Sequence, residues 1–402
     1  MKLKPEKFVP LLRKRARGLR VFGLALLAST SLAFAGMAAC QAGFMNFPTS
    51  FWQSSGGGGG GTYVTSVTYY TVSIATSAAS GTTTIPSVDT TKSFVVFNGS
   101  SISSGEGTNS RAISRVELTN ATTLTAYRNT ASSGSAITVR CAVVVCTSSL
   151  VSNIQQGTVS ISASTSGTAT ITSVTTSRSA VFWLGHTVST AGGSAPGHIS
   201  GVTLTNSTTV TANCGTSKTM TVGYVVVEFQ AAAITSVQQF SPTYTTSNTT
   251  DTQAITSVTT SRSIIAFGGQ KVGNTVAQAP GLYYLNISSS TNVNLIRGQT
   301  DTTTRTAYFT VIEFASAVVN GSVQRGAINV SSGANTATLS PSMSTTRTLV
   351  SYLGQSNTSA GQSEDATLCY AAQTNATTVT AGRTTTGDGA TVNVGWDAIE
   401  FT

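Results

Sequence analysis

At 402 residues the chain exceeds what one hydrophobic core usually holds, about 250–300 residues, so several domains are expected. Charged residues make up 9% of it against about 25% in ordinary soluble domains, and Ser, Thr, Gly, Ala and Val dominate, which excludes a charged helical enzyme; a hydrophobic content of 40%, gathered in short β-branched runs such as YVVVEF and FVVF, excludes simple disorder. The formal charge of +9 is concentrated at the start: residues 1–39 hold eight Lys or Arg and one acidic residue, the remainder is nearly neutral, and with no basic patch or zinc-finger motif no nucleic-acid partner is expected.

The first segment, residues 1–40, reads as a signal peptide or N-terminal anchor: a basic stretch, MKLKPEKFVPLLRKRARGLR, is followed by a Ser/Thr-interrupted apolar run and small residues. Ala33-Phe34-Ala35 fits ordinary cleavage before Gly36, whereas MAAC resembles a bacterial lipobox and makes Cys40 a conditional lipid-attachment site. A retained segment that docks in a larger assembly is the competing reading. Membrane contact is expected only through this segment or its lipid. Residues 41–62 follow as a linker, with six consecutive glycines from Gly56 to Gly61.

From there the chain repeats itself. LTNATTLTA at 118–126 returns as LTNSTTVTA at 204–212, and the central residue of that column falls at Leu124, Val210, Val293 and Val379. SVTYY, NIQQG, SVQQF and SVQRG open the copies; PSVDTTK, TSVTTSR, TSVTTSR and PSMSTTR follow; AVVVCT, YVVVEF, FTVIEF and WDAIEF close them. The copies are bounded as 63–148, 149–231, 232–316 and 317–402. Each holds six or seven short alternating runs separated by Ser, Thr, Gly and Asn, so the fold class is all-β: four tandem antiparallel β-sandwich repeats, Ig-like or jelly-roll-like, of about 85 residues. In the second copy the runs are 158–163, 168–173, 179–185, 199–205, 208–213 and 219–229. LTNSTTVTA itself predicts a hairpin turning at Asn-Ser. Short links between copies predict an extended, semi-rigid rod.

Two aromatic columns are assigned to the core: Phe97, Trp183, Phe267 and Tyr352, each followed two residues later by glycine, and Tyr224, Phe309 and Trp396. Between the first column and the next strand lie segments that differ from copy to copy, 100–111, 186–198, 270–281 and 355–365, as contact loops on a fixed scaffold do. His186 and His198, and Glu364 with Asp365, are the candidate binding residues within them. Twelve residues between two histidines with no nearby Cys, Asp or Glu is a poor zinc pattern, and no metal or cofactor is expected. Glu228, Glu313 and Glu400 recur in the closing strand and Arg128, Arg297 and Arg383 after the TxTA strand, which suggests a structural Glu–Arg pair inside copies three and four. No nucleophile elbow, P-loop, HExxH or CxxC occurs, and the chain is read as not an enzyme. Cys141 and Cys146, about 16 Å apart on one extended strand, together with the isolated Cys214 and Cys369, are expected to be free thiols, which favours assembly in the cytoplasm.

The ordered set SVQRG, TSVTTSR, LTNSTTVTA and VVVEF resembles the Ser/Thr-rich β repeats of bacteriophage tail-fibre and other virion structural proteins, over about residues 64–402. That resemblance implies a host-contacting appendage, often oligomeric, with no catalytic residues. The export-like N-terminus departs from it. The expected function is a non-enzymatic surface-displayed structural or adhesive protein, with a host or cell-surface glycan or protein receptor as partner, on the virion surface. The alternatives are an exported bacterial surface (lipo)protein adhesin and a carbohydrate-binding accessory protein.

Overall fold

The computed structural model describes residues 61–103, 112–129, 134–189, 199–245, 247–273, 282–300, 302–358, 368–383 and 391–402. Cys40, His198, Glu364 and Asp365 lie outside the described residues. The protein is all-β, built of antiparallel sheets. The first copy supplies β1 (Val64–Ile74), β2 (Ser80–Thr84), β3 (Ser93–Ile102), β4 (Ser114–Asn120), β5 (Thr123–Arg128) and β6 (Ile137–Cys146). The second supplies β7 (Val151–Thr170), β8 (Ser179–Val188), β9 (Ser200–Asn206) and β10 (Thr209–Phe229). The third supplies β11 (Ile234–Phe240), β12 (Thr243–Tyr244), β13 (Thr250–Ala254), β14 (Ser263–Val272), β15 (Tyr283–Ser289), β16 (Asn292–Arg297) and β17 (Arg305–Phe314). The fourth supplies β18 (Gln324–Val330), β19 (Ala334–Thr338), β20 (Thr348–Asn357), β21 (Tyr370–Asn375), β22 (Thr378–Gly382) and β23 (Val392–Glu400).

Pairing follows one pattern. In the first copy β6 lies between β1 and β3, and β5 lies between β4 and β2. The third and fourth copies repeat this with β11–β17–β14 and β15–β16–β13, then β18–β23–β20 and β21–β22–β19. The second copy reaches the same pairings with fewer, longer strands. The runs expected at 158–163 and 168–173 join in β7, which passes Ala163 at a φ of 47°, and those at 208–213 and 219–229 join in β10.

The expected hairpin is present. Asn206 Oδ1 accepts a hydrogen bond from the Thr208 amide at 2.9 Å between β9 and β10, an Asx turn that replaces the missing ladder partner. Asn120 and Asn375 do the same for Thr122 and Thr377, and in the third copy the Ser289 hydroxyl accepts from the Thr291 amide at 3.2 Å.

Sheets do not stop at the copy boundaries. Single bridges join β3 to β21 at Gly99 and Tyr370, β4 to β8 at Arg115 and Gly185, β9 to β14 at Gly201 and Gly269, and β15 to β20 at Tyr284 and Gly354. The strands thereby form sheets of six, eleven and six strands. The first of these sets the first copy beside the fourth. The Tyr69 hydroxyl donates to Thr348 O at 3.0 Å and accepts from the Val350 amide at 2.7 Å, and the Val67 amide donates to Thr346 O. An extended rod is therefore corrected: strands β3, β17 and β20 are buried at every residue and β14 at every residue but Lys271, so they need cover on both faces, which neighbouring copies provide.

Tyr69 belongs to a column. At the same place in the opening motif, Gln156 clasps the Leu118 amide and carbonyl, Gln239 donates to Thr176 O and Ser179 O, and Arg325 donates to Thr260 O and Ser263 O. Each of these three reaches the copy before its own, and Tyr69, in the first copy, reaches the last. One residue earlier, Gln155, Gln238 and Gln324 instead clamp their own copies, each bonding a backbone amide and a carbonyl 16–18 residues downstream.

Candidate functional site

Strand register gives the described unit two chemically distinct ends. At one end β3 begins with Ser93 opposite Val145, and β1 with Val64 opposite Cys146; at the other, Ile102 and Ile74 both lie opposite Ile137. Tyr63, where the chain leaves the N-terminal residues, is at the first end, bonded to Thr402 O and to the Thr147 amide. The links between copies gather there too, through Gln230 N to Leu150 O, Ala315 N to Ala233 O and Thr402 N to Val318 O. We call this the linker end. Phe314 packs edge-to-face on Phe229 and on Phe401, each at 5.6 Å.

The recurring glutamates sit at the linker end, and their partners differ from expectation. Glu228 meets Arg178 at 2.9 Å, Glu313 meets Arg262 at 2.8 Å and Glu400 meets Arg347 at 3.8 Å. These arginines end TTSR in the second and third copies and STTR in the fourth. Arg128, Arg297 and Arg383 are a strand's length away at the other end, because each lies at the far end of a strand that starts from the hairpin turn. There they hold carbonyls, as Arg128 does for Ala75, Ala78 and Ser135 and Arg383 for Ser331, or meet a carboxylate, as Arg297 does with Asp251 at 3.4 Å.

The opposite end, the loop end, is shaped by the first aromatic column and its glycines. After Phe97, Trp183, Phe267 and Tyr352 the register with the neighbouring strand shifts, a β-bulge. The bulge places Gly99, Gly185, Gly269 and Gly354 at φ of 85–100°, where an L side chain is strained. It also presses each glycine onto the adjacent copy: a Cβ on Gly269 would stand 2.6 Å from Ser200 O, and one on Gly354 2.5 Å from Tyr283 O. These are the four bridge positions. The glycine is required twice over, by its dihedral and by the backbone it touches.

The four rings meet. Centroids are 5.2 Å apart for Phe97 and Trp183, 6.0 Å for Trp183 and Phe267, 5.9 Å for Phe267 and Tyr352 and 6.5 Å for Tyr352 and Phe97, with interplanar angles of 81–89°. Edge-to-face contact of this kind sets the positive edge of one ring on the negative face of the next. Against this square lies a cavity of about 70 Å³, walled also by Ile113, Ile199, Leu282 and Leu368. Polar atoms are few on it. Gln270 and Gln355 turn inward to accept from the Tyr283 and Cys369 amides, at 3.2 and 2.9 Å, and the Tyr352 hydroxyl donates to Gln355. The hydroxyls of Ser114 and Ser200 and the indole N–H of Trp183 have no hydrogen-bond partner among the described residues.

His186 lies on the cavity wall but not in a loop. It is a buried residue of β8, 5.6 Å from the Trp183 ring, in the column that carries Ser100, Gln270 and Gln355 elsewhere. The second aromatic column, Tyr224, Phe309 and Trp396, is buried as expected. The four cysteines among the described residues are buried and form no disulfide with one another; burial pushes the Cys141 thiol up to about 12 and also raises that of Cys146, so neither is a ready thiolate. Among the described residues no three His, Cys, Asp or Glu side chains come together. Asp397, fully buried, stands 3.3 Å from Arg325 and accepts from the Ile265 amide, and burial raises its carboxyl above the usual range.

Sequence reasoning found the aromatic–glycine column but took it for core alone. It missed that one column from four copies builds a single cavity, and it missed the cross-copy column Tyr69, Gln156, Gln239 and Arg325. The motif does not mark the latter: this position changes between Tyr, Gln and Arg, but the residue after it changes as much, as Tyr70, Gly157, Phe240 and Gly326. Comparison with protein-family models, with curated proteins and with solved structures finds no match for this chain.

Proposed function

We propose that this chain is a non-enzymatic surface-contact protein in which four β-sandwich copies close on one another around a common axis, held at one end and offered to a partner at the other. The supporting observation is the separation of the two ends. The chain arrives from the glycine linker at Tyr63, bonded to Thr402, while the described residues flanking the variable segments, Ser103 and Ala112, Ser189 and Ile199, Gly273 and Leu282, Thr358 and Leu368, stand at the opposite ends of the same strands. A fixed frame with variable connections at one end is how binding is usually built on β scaffolds. The partner class is a host or cell-surface glycan or protein receptor, and the setting is a virion appendage of tail-fibre type or, alternatively, an exported adhesin tethered through Cys40.

Replacement of 104–111, 190–198, 274–281 and 359–367 by Gly-Ser segments of equal length tests this reading. Adhesion of the fluorescent protein across a panel of bacterial cells is expected to disappear while the far-UV spectrum and melting temperature hold. Undiminished adhesion of the folded variant overturns the proposal. Intact mass of natively purified protein separates the two settings: a start at lipidated Cys40 or at Gly36 marks the exported form, and a retained N-terminus marks the virion form.

A further inference from the structure

Asn-Gly occurs twice in the chain, at Asn98-Gly99 and at Asn320-Gly321, and the fold treats the two in opposite ways. Asparagine is a thermolabile side chain, because the backbone nitrogen that follows it can attack its side-chain carbonyl carbon. Glycine in second place, without a Cβ, leaves that approach open. Asn98 sits in β3, 0% exposed, with its Nδ2 donating to Val350 O at 2.7 Å, and Gly99 forms the bridge to Tyr370. Asn320 lies where the chain passes from the third copy to the fourth, and it is exposed, as are Gly321 and Ser322. Gly321 stands at a φ of 79°, a Cβ there would meet nothing within 4 Å, and among the described residues its N–H meets no main-chain acceptor. The attacking nitrogen is thus unhindered and open to water.

We infer that Asn320 is a site of spontaneous covalent modification, deamidation through a cyclic imide, and that the change loosens the joint between the third and fourth copies. The Gly321 nitrogen bonds to Asn320 Cγ, the Cγ–Nδ2 bond breaks, and Nδ2 leaves as ammonia with the proton that Gly321 gives up, relayed by solvent. Water then opens the imide at one of its two carbonyl carbons. Opening at Cγ leaves aspartate; opening at the main-chain carbonyl leaves isoaspartate, with the chain rerouted through the side chain and one methylene longer. Either product removes the Nδ2 donor that Glu400 Oε1 now accepts from at 2.6 Å and sets a second carboxylate beside the Glu400–Arg347 pair. The joint is fastened on both sides of this spot. Val319 bridges Phe401, Thr402 N donates to Val318 O and Asn320 N to Glu400 O, while Val323 N donates to Ser261 O. A longer chain between Val319 and Val323 pulls one fastening out of step with the other. This inference does not depend on what the loop end contacts.

Ageing of the full chain in warm, mildly alkaline buffer, followed by peptide mass spectrometry and an isoaspartate assay, reads the site directly. In the folded chain Asn320 is expected to convert at least about tenfold faster than Asn98, whose ring closure must wait for β3 to open. In urea the two rates are expected to converge, since both asparagines precede glycine. Asn320→Gln keeps a side-chain amide for Glu400 and moves its carbonyl one bond farther from the Gly321 nitrogen, and it is expected to abolish conversion at that position. Hydrogen exchange in the aged chain is then expected to be faster at 316–323 and 396–402 than in the fresh chain or in Asn320→Gln aged alongside. Should Asn320→Gln fail to fold, the rate ratio and the fresh-against-aged comparison carry the test. An unmodified Asn320, equal rates at the two asparagines in the folded chain, or a difference that persists in urea each overturns the site. Conversion at Asn320 with unchanged exchange overturns the loosening of the joint.

Discussion

The linker end and the loop end are made from the same strands and differ in their charge pairs, their glycines and their packing. At the linker end each recurring glutamate is surrounded by donors: Glu313 accepts from the Thr259 amide at 3.2 Å as well as from Arg262, Glu228 likewise from Thr175 and Arg178, and Glu400 from the Ser344 amide and Asn320. At the loop end Arg128 and Arg383 hold carbonyls instead, glycines stand at positive φ, and the core opens into a cavity. The contrast teaches where each task lies. Local rules that all agree specify a structure, and a region that breaks several at once is where binding is expected.

The largest effect should come from breaking the linker end. Phe314 is the middle ring of three, fully buried and in contact with both Phe229 and Phe401. Phe314→Ala is expected to cost about 3–5 kcal/mol, as large-to-small core changes at phenylalanine do, measured by urea unfolding. A loss below about 1 kcal/mol would mean that the three rings do not organise that end.

Next comes the loop end's own backbone. Gly354→Ala places a side chain at a φ of 89° and 2.5 Å from Tyr283 O. The left-handed dihedral alone costs about 1–2 kcal/mol, and the bridge to Tyr284 must give in addition. The expected outcome is a loss of about 2 kcal/mol, smaller than for Phe314→Ala, with faster hydrogen exchange at the bridged strands and no change at the linker end. Faster exchange throughout would show that the two ends are one cooperative unit.

How much of this was legible beforehand follows from what periodicity encodes. The strands, the Asx hairpin and the buried aromatic columns depend on residues near in sequence, and LTNSTTVTA or an aromatic two residues before glycine displays them. Contacts between copies depend on how copies are arranged, to which strand alternation is indifferent. Arg262 and Arg297 illustrate the limit: both are arginines in the same copy as Glu313, and only strand direction decides that the first lies at its end and the second at the other. His186 illustrates it again. Its place next to a variable segment suggests a loop, whereas β8 runs two residues further and buries it.

The smallest expected effect is also the most discriminating, because one substitution can be made at both ends. Ser263 and Ser200 are both 0% exposed and both begin a strand. Ser263 Oγ donates to Thr259 O at 2.8 Å beside the Glu313–Arg262 pair, while Ser200 Oγ has no partner among the described residues. Removing a hydrogen-bonded buried hydroxyl leaves the carbonyl short of a donor and should cost about 1 kcal/mol, whereas removing an orphaned one relieves a desolvation penalty. Ser263→Ala is thus expected to lower stability by about 1 kcal/mol, and Ser200→Ala to leave it unchanged or raise it slightly. Differential scanning calorimetry of the ligand-free protein reads both. Equal losses would mean that Ser200 is satisfied as fully as Ser263, and the opposition between the ends would then reduce to the glycine backbone and the cavity.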